Sequence, residues 1–107
     1  MLRLLLESSG YVTDCCENGS RALDKMNEKG FGILLTDYRM PGMNGDELTA
    51  MIRSQYPEVF IIGFSIEVKG QAFLDAGANI FIGKEQLAHR LLPILAAVPR
   101  KERPHGP

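Results

Sequence analysis

Apolar residues along this chain follow two spacings that alternate from one end to the other. Compact apolar runs bounded by turn residues are typical of strands covered on both faces, and apolar residues three or four positions apart are typical of one helix face. The runs predict strands over residues 11–16, 31–36, 59–65 and 78–82. The helical spacing predicts helices over residues 2–9, 20–29, 45–55, 68–76 and 85–98. This alternation predicts an α/β fold with a parallel sheet and right-handed crossovers.

Local signals set the ends of several of these elements. Asn18 or Ser20 can cap the second helix, because a side-chain oxygen at that position accepts a hydrogen bond from a free backbone N–H. Pro93 lies inside the last helix and removes one backbone hydrogen bond, so we expect a kink or a break there. Residues 100–107 are polar and rich in proline, which predicts one domain over 1–99 followed by a disordered tail.

The composition narrows the class of protein. A length of 107 residues suits one small domain, and a net charge of −1 argues against nucleic acid as a partner. No apolar stretch approaches the roughly 18 residues of a membrane span, so we expect a cytoplasmic protein with no membrane partner. Cys15 and Cys16 are adjacent, and neighbouring side chains in a strand point to opposite faces. We expect no disulfide between them and interpret them as small buried residues in a reducing compartment.

Three side chains with complementary chemistry fall at the ends of predicted strands. Asp37 follows the second strand, Ser65 ends the third and Lys84 follows the fourth. In open parallel sheets, ligands bind beyond the carboxyl ends of the strands. A carboxylate can act as a nucleophile, while a hydroxyl and an ammonium can hold phosphate oxygens. Each residue alone has an ordinary explanation as a loop residue, but their joint placement predicts a phosphoryl site.

Three stretches of the chain resemble the receiver domain of two-component response regulators. TDYRMPGMNGDEL, at 36–48, resembles the phosphoacceptor strand and loop of that family almost throughout. ENGSRAL, at 17–23, resembles the start of its second helix, and AGANIFIGK, at 76–84, resembles its fifth strand and lysine. The resemblance covers about residues 2–98 and implies a flavodoxin-like, doubly wound parallel sheet.

The resemblance also implies a role for each matching residue. Asp37 corresponds to the phosphoacceptor, which takes a phosphoryl group from a kinase histidine. Ser65 and Lys84 correspond to the hydroxyl and the ammonium that bind the phosphoryl oxygens, and Phe81 corresponds to the aromatic switch position. The backbone carbonyl of Arg39 would be a Mg²⁺ ligand together with Asp37. The implied partners are a histidine kinase or phosphotransfer protein and a downstream protein that binds the 68–98 face.

The chain departs from the family pattern in ways that bear on this chemistry. It begins part-way along the family's first helix, so we expect the first, central strand and its acidic pair to be missing. Without that pair only Asp37 and one carbonyl remain from the usual protein ligands of Mg²⁺, so we expect weak or absent Mg²⁺ binding and impaired phosphorylation. Ile66 is bulky where the family has a small residue and could crowd the site. A missing central strand would also leave segments 11–16 and 31–36 with bare edges, which predicts that they pair with each other or that the chain dimerises through them.

Two alternatives to a phosphorylated receiver stay open from the residues. One is a phosphorylation-independent interaction module that keeps the receiver surface and has lost the chemistry. The other is a phosphatase that uses Asp37 as a nucleophile, but haloacid-dehalogenase-like enzymes place a second aspartate where this chain has Arg39. We therefore expect a signalling or interaction domain rather than an enzyme.

Overall fold

Strand and helix alternate through the part of the chain that the structure describes, which is residue 8 and residues 10–98 of a computed structural model. The strands in this part are β1 (Ile33–Asp37), β2 (Phe60–Ser65) and β3 (Ile80–Gly83). The helices are α1 (Gly19–Glu28), α2 (Gly45–Gln55), α3 (Gly70–Ala76) and α4 (Leu87–Ala97), and a 3-10 turn (Lys84–Gln86) precedes α4. The predicted α/β class is confirmed.

The three strands form one parallel sheet in the order β1-β2-β3. Asp37 pairs with Phe64, and Ser65 pairs with Gly83. Because all three strands run in the same direction, their carboxyl ends meet at one edge of the sheet. This register brings the residues that end or follow the strands to a common place.

The central strand β2 supplies side chains to two apolar layers, one on each face of the sheet. Ile62 and Phe64 face α4, which contributes Leu87, Leu91 and Leu95. Ile61 lies in the opposite layer, which contains these residues of α1, α2 and α3: Met26, Leu48, Ile52 and Phe73. Since successive side chains of a strand point to opposite faces, a fully buried strand needs helices on both sides. Among the described residues, helices therefore cover both faces of β2, which leaves the ends of the strands open to ligands.

The predicted helix starts and stops are confirmed where the local signals are strong. Asn18 caps α1, because its side-chain oxygen accepts a hydrogen bond of 2.9 Å from the backbone N–H of Arg21. Helix α2 spans the predicted residues 45–55. The helix predicted over 2–9 lies outside the described residues except at residue 8, and the tail predicted over 100–107 lies wholly outside them.

The strand predicted over 11–16 is wrong, because these residues have no regular structure and pair with no described strand. Val12 is 93% exposed, and the hydroxyl of Thr13 donates to the nearby carbonyl of Tyr11. A strand needs the backbone of a neighbour to satisfy its N–H and C=O groups. Within residues 10–98 β1 pairs only with β2, so the predicted pairing of 11–16 with 31–36 is also not found.

A kink or a break was predicted at Pro93, and the break is not found, because α4 is continuous across this residue. Pro93 and His89 are both exposed, so the carbonyl of His89 that loses its N–H partner can bind water. On the opposite face Leu87, Leu91 and Leu95 are buried against the sheet. Packing of that face holds the helix together despite the missing hydrogen bond.

Candidate functional site

A cleft of about 180 Å³ opens at the carboxyl edge of the sheet. Asp37 is the last residue of β1, Ser65 is the last of β2, and Lys84 follows β3. The structure therefore brings together the three residues that the sequence placed at strand ends. The cleft is lined by Asp37, Arg39, Ser65, Ile66, Glu67 and Lys84.

The end of β1 is fixed by a close approach of α2. A Cβ atom on Gly45 would lie 2.1 Å from the backbone oxygen of Asp37, so only glycine fits there. The N–H of Gly45 donates to the carbonyl of Tyr38 at 2.7 Å, and the N–H of Tyr38 donates to Phe64 of β2 at 3.0 Å. The connecting loop turns at Gly42, whose φ of +87° favours glycine. These contacts hold the backbone of Asp37 in place.

Asp37 and Lys84 form an ion pair across the cleft. Lys84 Nζ lies 3.5 Å from Asp37 Oδ2, and the two side chains are 48% and 31% exposed. The ammonium also lies 5.8 Å from the centre of the Phe64 ring. A reagent in solvent can reach both groups, because each is only partly covered.

Ser65 is buried, with 2% of its surface exposed, but its side chain lines the same cleft. Its Oγ accepts a hydrogen bond of 3.0 Å from the backbone N–H of Glu67. A serine hydroxyl can donate one hydrogen bond as well as accept, so Ser65 has a donor to offer an oxyanion in the cleft.

The sequence did not identify Glu67, which forms the rim of the cleft with Arg39. Arg39 and Glu67 are joined by an ion pair of 3.1 Å, and Lys69 Nζ lies 3.8 Å from the same carboxylate. Arg39 and Glu67 stand two residues beyond the ends of neighbouring parallel strands. This spacing was a signal in the sequence: two residues of opposite charge, each two positions after a strand, lie near each other when the two strands are paired and parallel.

Phe81 lies outside the cleft lining, on the face of β3 that packs against α3. Its ring centre is 5.8 Å from that of Phe73, and Phe73 makes an edge contact of 6.0 Å with Tyr38, the residue after Asp37. Phe73 approaches the sheet over Gly63, where a Cβ atom would lie 2.4 Å from its ring. A row of aromatic rings therefore connects the predicted switch position to the neighbour of Asp37.

Two other predictions about side chains need correction. Ile66 is 79% exposed, so it stands in solvent at the rim and does not crowd the cleft. Cys15 is exposed and Cys16 is partly covered, so the interpretation of both as buried residues is wrong. Their thiols are free, as predicted. Burial raises the pKa of the Cys16 thiol above its usual value.

Among the described residues, the cleft offers two carboxylates to a metal ion, those of Asp37 and Glu67. Mg²⁺ requires octahedral oxygen ligation, and carboxylates near phosphate are its usual protein ligands. In residues 10–98, no group of three His, Cys, Asp or Glu side chains is placed to hold a metal ion. Lys84 lies against the carboxylate of Asp37, and Arg39 and Lys69 lie against that of Glu67. Each carboxylate of the cleft thus has at least one cationic side chain within 4 Å.

The family model of the response regulator receiver domain matches residues 1–96. The chain belongs to this family. It is 31% identical over 103 residues to the sensory/regulatory protein RpfC of Xanthomonas campestris pv. campestris, which covers 90% of this chain and 14% of RpfC. It is 31% identical over 104 residues to the transcriptional regulatory protein YkoG of Bacillus subtilis, which covers 94% of this chain and 46% of YkoG. The chain therefore spans less than half the length of either relative.

The fold agrees with solved receiver domains. The crystal structure of a CheY-like response regulator receiver domain protein from Methanospirillum hungatei superposes with a TM-score of 0.76 at 25% identity, covering 88% of this chain and 81% of that one. Receiver domains are signalling modules that accept phosphoryl groups and generally bind Mg²⁺ at an acidic pocket. No helix of the described residues is long and apolar enough to cross a bilayer.

Proposed function

We propose that this chain is a cytoplasmic receiver of a two-component phosphorelay and that Asp37 is its phosphoacceptor. The main support for this proposal is the ion pair of 3.5 Å between Asp37 and Lys84, in a cleft that Ser65 also lines. The phosphodonor is the phosphohistidine of a histidine kinase or phosphotransfer protein. The surface formed by residues 68–98 passes the signal to a downstream protein.

The side chains of the cleft support this transfer chemically. A carboxylate oxygen of Asp37 forms a bond to phosphorus, the P–N bond of the phosphohistidine breaks, and the leaving nitrogen keeps the electron pair and takes a proton. Catalysis of such a transfer depends mainly on positioning and on stabilising charge on the phosphoryl oxygens. Lys84 and the hydroxyl of Ser65 are placed to supply that stabilisation. Asp37 is thus a stoichiometric acceptor, and the domain is not an enzyme.

We further propose that phosphorylation of this chain is slow and that its Mg²⁺ binding is weak or absent. The support is the donor set among the described residues, where Asp37 is paired with Lys84 and Glu67 with Arg39. A divalent cation would have to displace these cations before it could offset the charge of the transferring group. The alternative function, a phosphorylation-independent interaction module, is favoured by the same observation.

Intact mass after incubation with phosphoramidate and MgCl₂ separates the two functions. We expect a slow gain of one phosphate in the wild-type chain and no gain in Asp37→Asn. Asp75→Asn is the matched control, because it neutralises an exposed carboxylate on α3. A gain that depends on Asp37 rules out the inert module, whereas no gain over hours at saturating donor refutes the phosphoacceptor role.

A further inference from the structure

A second cleft, of about 280 Å³, lies along the charged face of α1 and has no part in the transfer described above. Cys15, Cys16 and Glu17 line it from the segment before the helix. Four charged residues line it from α1 itself: Arg21, Asp24, Lys25 and Glu28. These four are three or four positions apart, so they share one face of the helix. The cleft therefore combines two thiols with charges of both signs.

The charged groups of this cleft are only weakly paired with one another. Lys25 Nζ lies 3.9 Å from a carboxylate oxygen of Glu28, and both side chains are exposed, so this ion pair is weak. Among the described residues, the side chains of Glu17, Arg21 and Asp24 form no ion pair within 4 Å. A ligand that carries both carboxylate and ammonium groups can therefore bind here without first breaking strong contacts.

Cys15 is the thiol of the cleft that a reagent in solvent can reach. It is exposed, whereas Cys16 is partly covered. Burial raises the pKa of the Cys16 thiol, although the nearby cations Lys25 and Arg21 oppose this effect. The thiolate is the form that attacks a disulfide, and negative charge spreads over the sulfur atoms during the exchange. The two cations of the cleft are placed to stabilise that charge.

Cys15 and Cys16 are poorly placed to form a disulfide with each other. The Cα atoms of neighbouring residues are about 3.8 Å apart across a trans peptide bond, whereas disulfides usually join Cα atoms about 4.4–6.8 Å apart. A disulfide within this pair would therefore be strained. Once Cys15 is joined to another thiol, Cys16 cannot readily displace that thiol, so the mixed disulfide persists.

We propose that Cys15 is a modification site that takes up a small thiol peptide of the glutathione class as a mixed disulfide. The Cys15 thiol loses its proton to solvent, and its sulfur forms a bond to one sulfur of the peptide disulfide. The S–S bond of that disulfide breaks, and the leaving thiolate keeps the electron pair and takes up a proton. The peptide disulfide is thus the oxidant, and one of its halves is released as a reduced thiol.

The charges along α1 are the reason for choosing a peptide as the ligand. Arg21 and Lys25 bind its carboxylates, and Glu17 and Asp24 bind its ammonium group. Positions 21 to 28 span about 10 Å along the helix, which suits a ligand whose charged groups are well separated. The inference stands apart from the proposed function, because it needs no phosphoryl group.

Rates of adduct formation, followed by intact mass, test the inference with three disulfides. These are glutathione disulfide, cystine and the uncharged bis(2-hydroxyethyl) disulfide. In Cys16→Ser, the rate with glutathione disulfide relative to the uncharged reagent should be about three- to five-fold higher in the folded chain than in the denatured chain. Cystine should gain less, because its charged groups lie close together. The gain should shrink at high ionic strength, which screens exposed charges.

A charge variant and its control show whether α1 causes this preference. In the Cys16→Ser background, Arg21→Gln should lower the ratio of the two rates by about two- to four-fold. Arg90→Gln is the matched control, because it removes the same charge from an exposed position of α4, on the other face of the sheet. Its ratio should be unchanged. Equal ratios in the folded and denatured chains, or no effect of Arg21→Gln, would overturn the inference.

The product in the chain with both cysteines gives a further test. With glutathione disulfide, we expect a gain of one glutathionyl group that remains after the excess reagent is removed. A loss of two hydrogens in its place would mean that Cys16 closes an internal disulfide, which would overturn the mixed disulfide as the product. A ratio for cystine that equals or exceeds that for glutathione disulfide would overturn the choice of a peptide ligand.

Discussion

At the scale of single residues, Gly45 sets the position of the end of β1, which carries Asp37. Its missing Cβ lets α2 contact the end of β1, where the nearest atom to an added Cβ is a backbone oxygen at 2.1 Å. A flexible side chain could move aside, but the backbone of Asp37 cannot move without displacing its carboxylate. The site therefore depends on a residue that has no functional group of its own.

We expect Gly45→Ala to lower the free energy of unfolding by about 1–3 kcal/mol, as overpacking of a tight contact does. Urea titration followed by circular dichroism measures this change. Gly32→Ala is the matched control, because a Cβ there meets no atom within 4 Å and the residue has no positive φ. Equal midpoints for the two variants would contradict the close approach.

The two cysteines differ in a way that alkylation can measure. Partial burial disfavours the thiolate of Cys16 and raises its pKa above the usual value for a thiol, whereas Cys15 is exposed. The thiolate is the reactive form, so at pH 8 iodoacetamide should modify Cys15 in a Cys16→Ser variant faster than Cys16 in a Cys15→Ser variant. The difference should narrow as the pH rises and vanish in denaturant. Equal rates in the folded protein would contradict the partial burial of Cys16.

At the scale of elements, the sequence predictions were right where neighbouring residues determine the structure and wrong where distant parts of the chain determine it. Helix α2 was located because a loop ending in Asn44 starts it and Pro57 prevents its continuation. The strand predicted over 11–16 is not found, because an apolar pattern shows which side chains can be buried but does not provide a neighbouring strand for hydrogen bonds. The break predicted at Pro93 is not found, because packing of the buried leucine face of α4 outweighs the low helix propensity of proline.

The residues of the candidate site also fall into two groups, those that the sequence placed together and those that it did not. Asp37, Ser65 and Lys84 could be placed together from the sequence, because parallel strands align their carboxyl ends. Arg39 and Glu67 were not joined from the sequence, because their equal distances past the two strands are only part of the cause: the contact also depends on how far two side chains reach from two irregular segments. Strand order and direction predict the centre of the cleft, whereas for its rim they give only a candidate pair.

Helix α4 gives a test of the same balance between propensity and packing. Pro93 is exposed within a continuous helix and costs about 3 kcal/mol relative to alanine at an unstrained interior position. We expect Pro93→Ala to raise the free energy of unfolding by about 1–3 kcal/mol, measured by thermal unfolding. Pro57→Ala is the control in a turn, where losing proline should cost about 0.4–1 kcal/mol through the unfolded state. A lower melting temperature for Pro93→Ala would contradict the expectation that alanine restores the backbone hydrogen bond to the carbonyl of His89.

At the scale of the whole molecule, the sheet has an open edge among the described residues. Gly32 and Tyr38 bond to β2 through their backbone, so the alternate residues Ile33, Leu35 and Asp37 direct their N–H and C=O groups away from it. The side chains of β1 are also less buried than those of β2. An edge of this kind is a template for pairing with another chain.

We therefore expect the chain to form dimers through β1 at high micromolar concentration, with a mass in light scattering that rises with concentration. Ile33→Lys should restore the monomer, because a charge on an edge strand opposes pairing. Leu74→Lys is the matched control, since it adds the same charge on a half-exposed position of α3, away from the edge. A monomeric mass for the wild-type chain at high micromolar concentration would refute edge pairing. Dimers that survive Ile33→Lys and dissociate in Leu74→Lys would place the contact on the helical surface instead, and the open edge would then have to be covered within the chain itself.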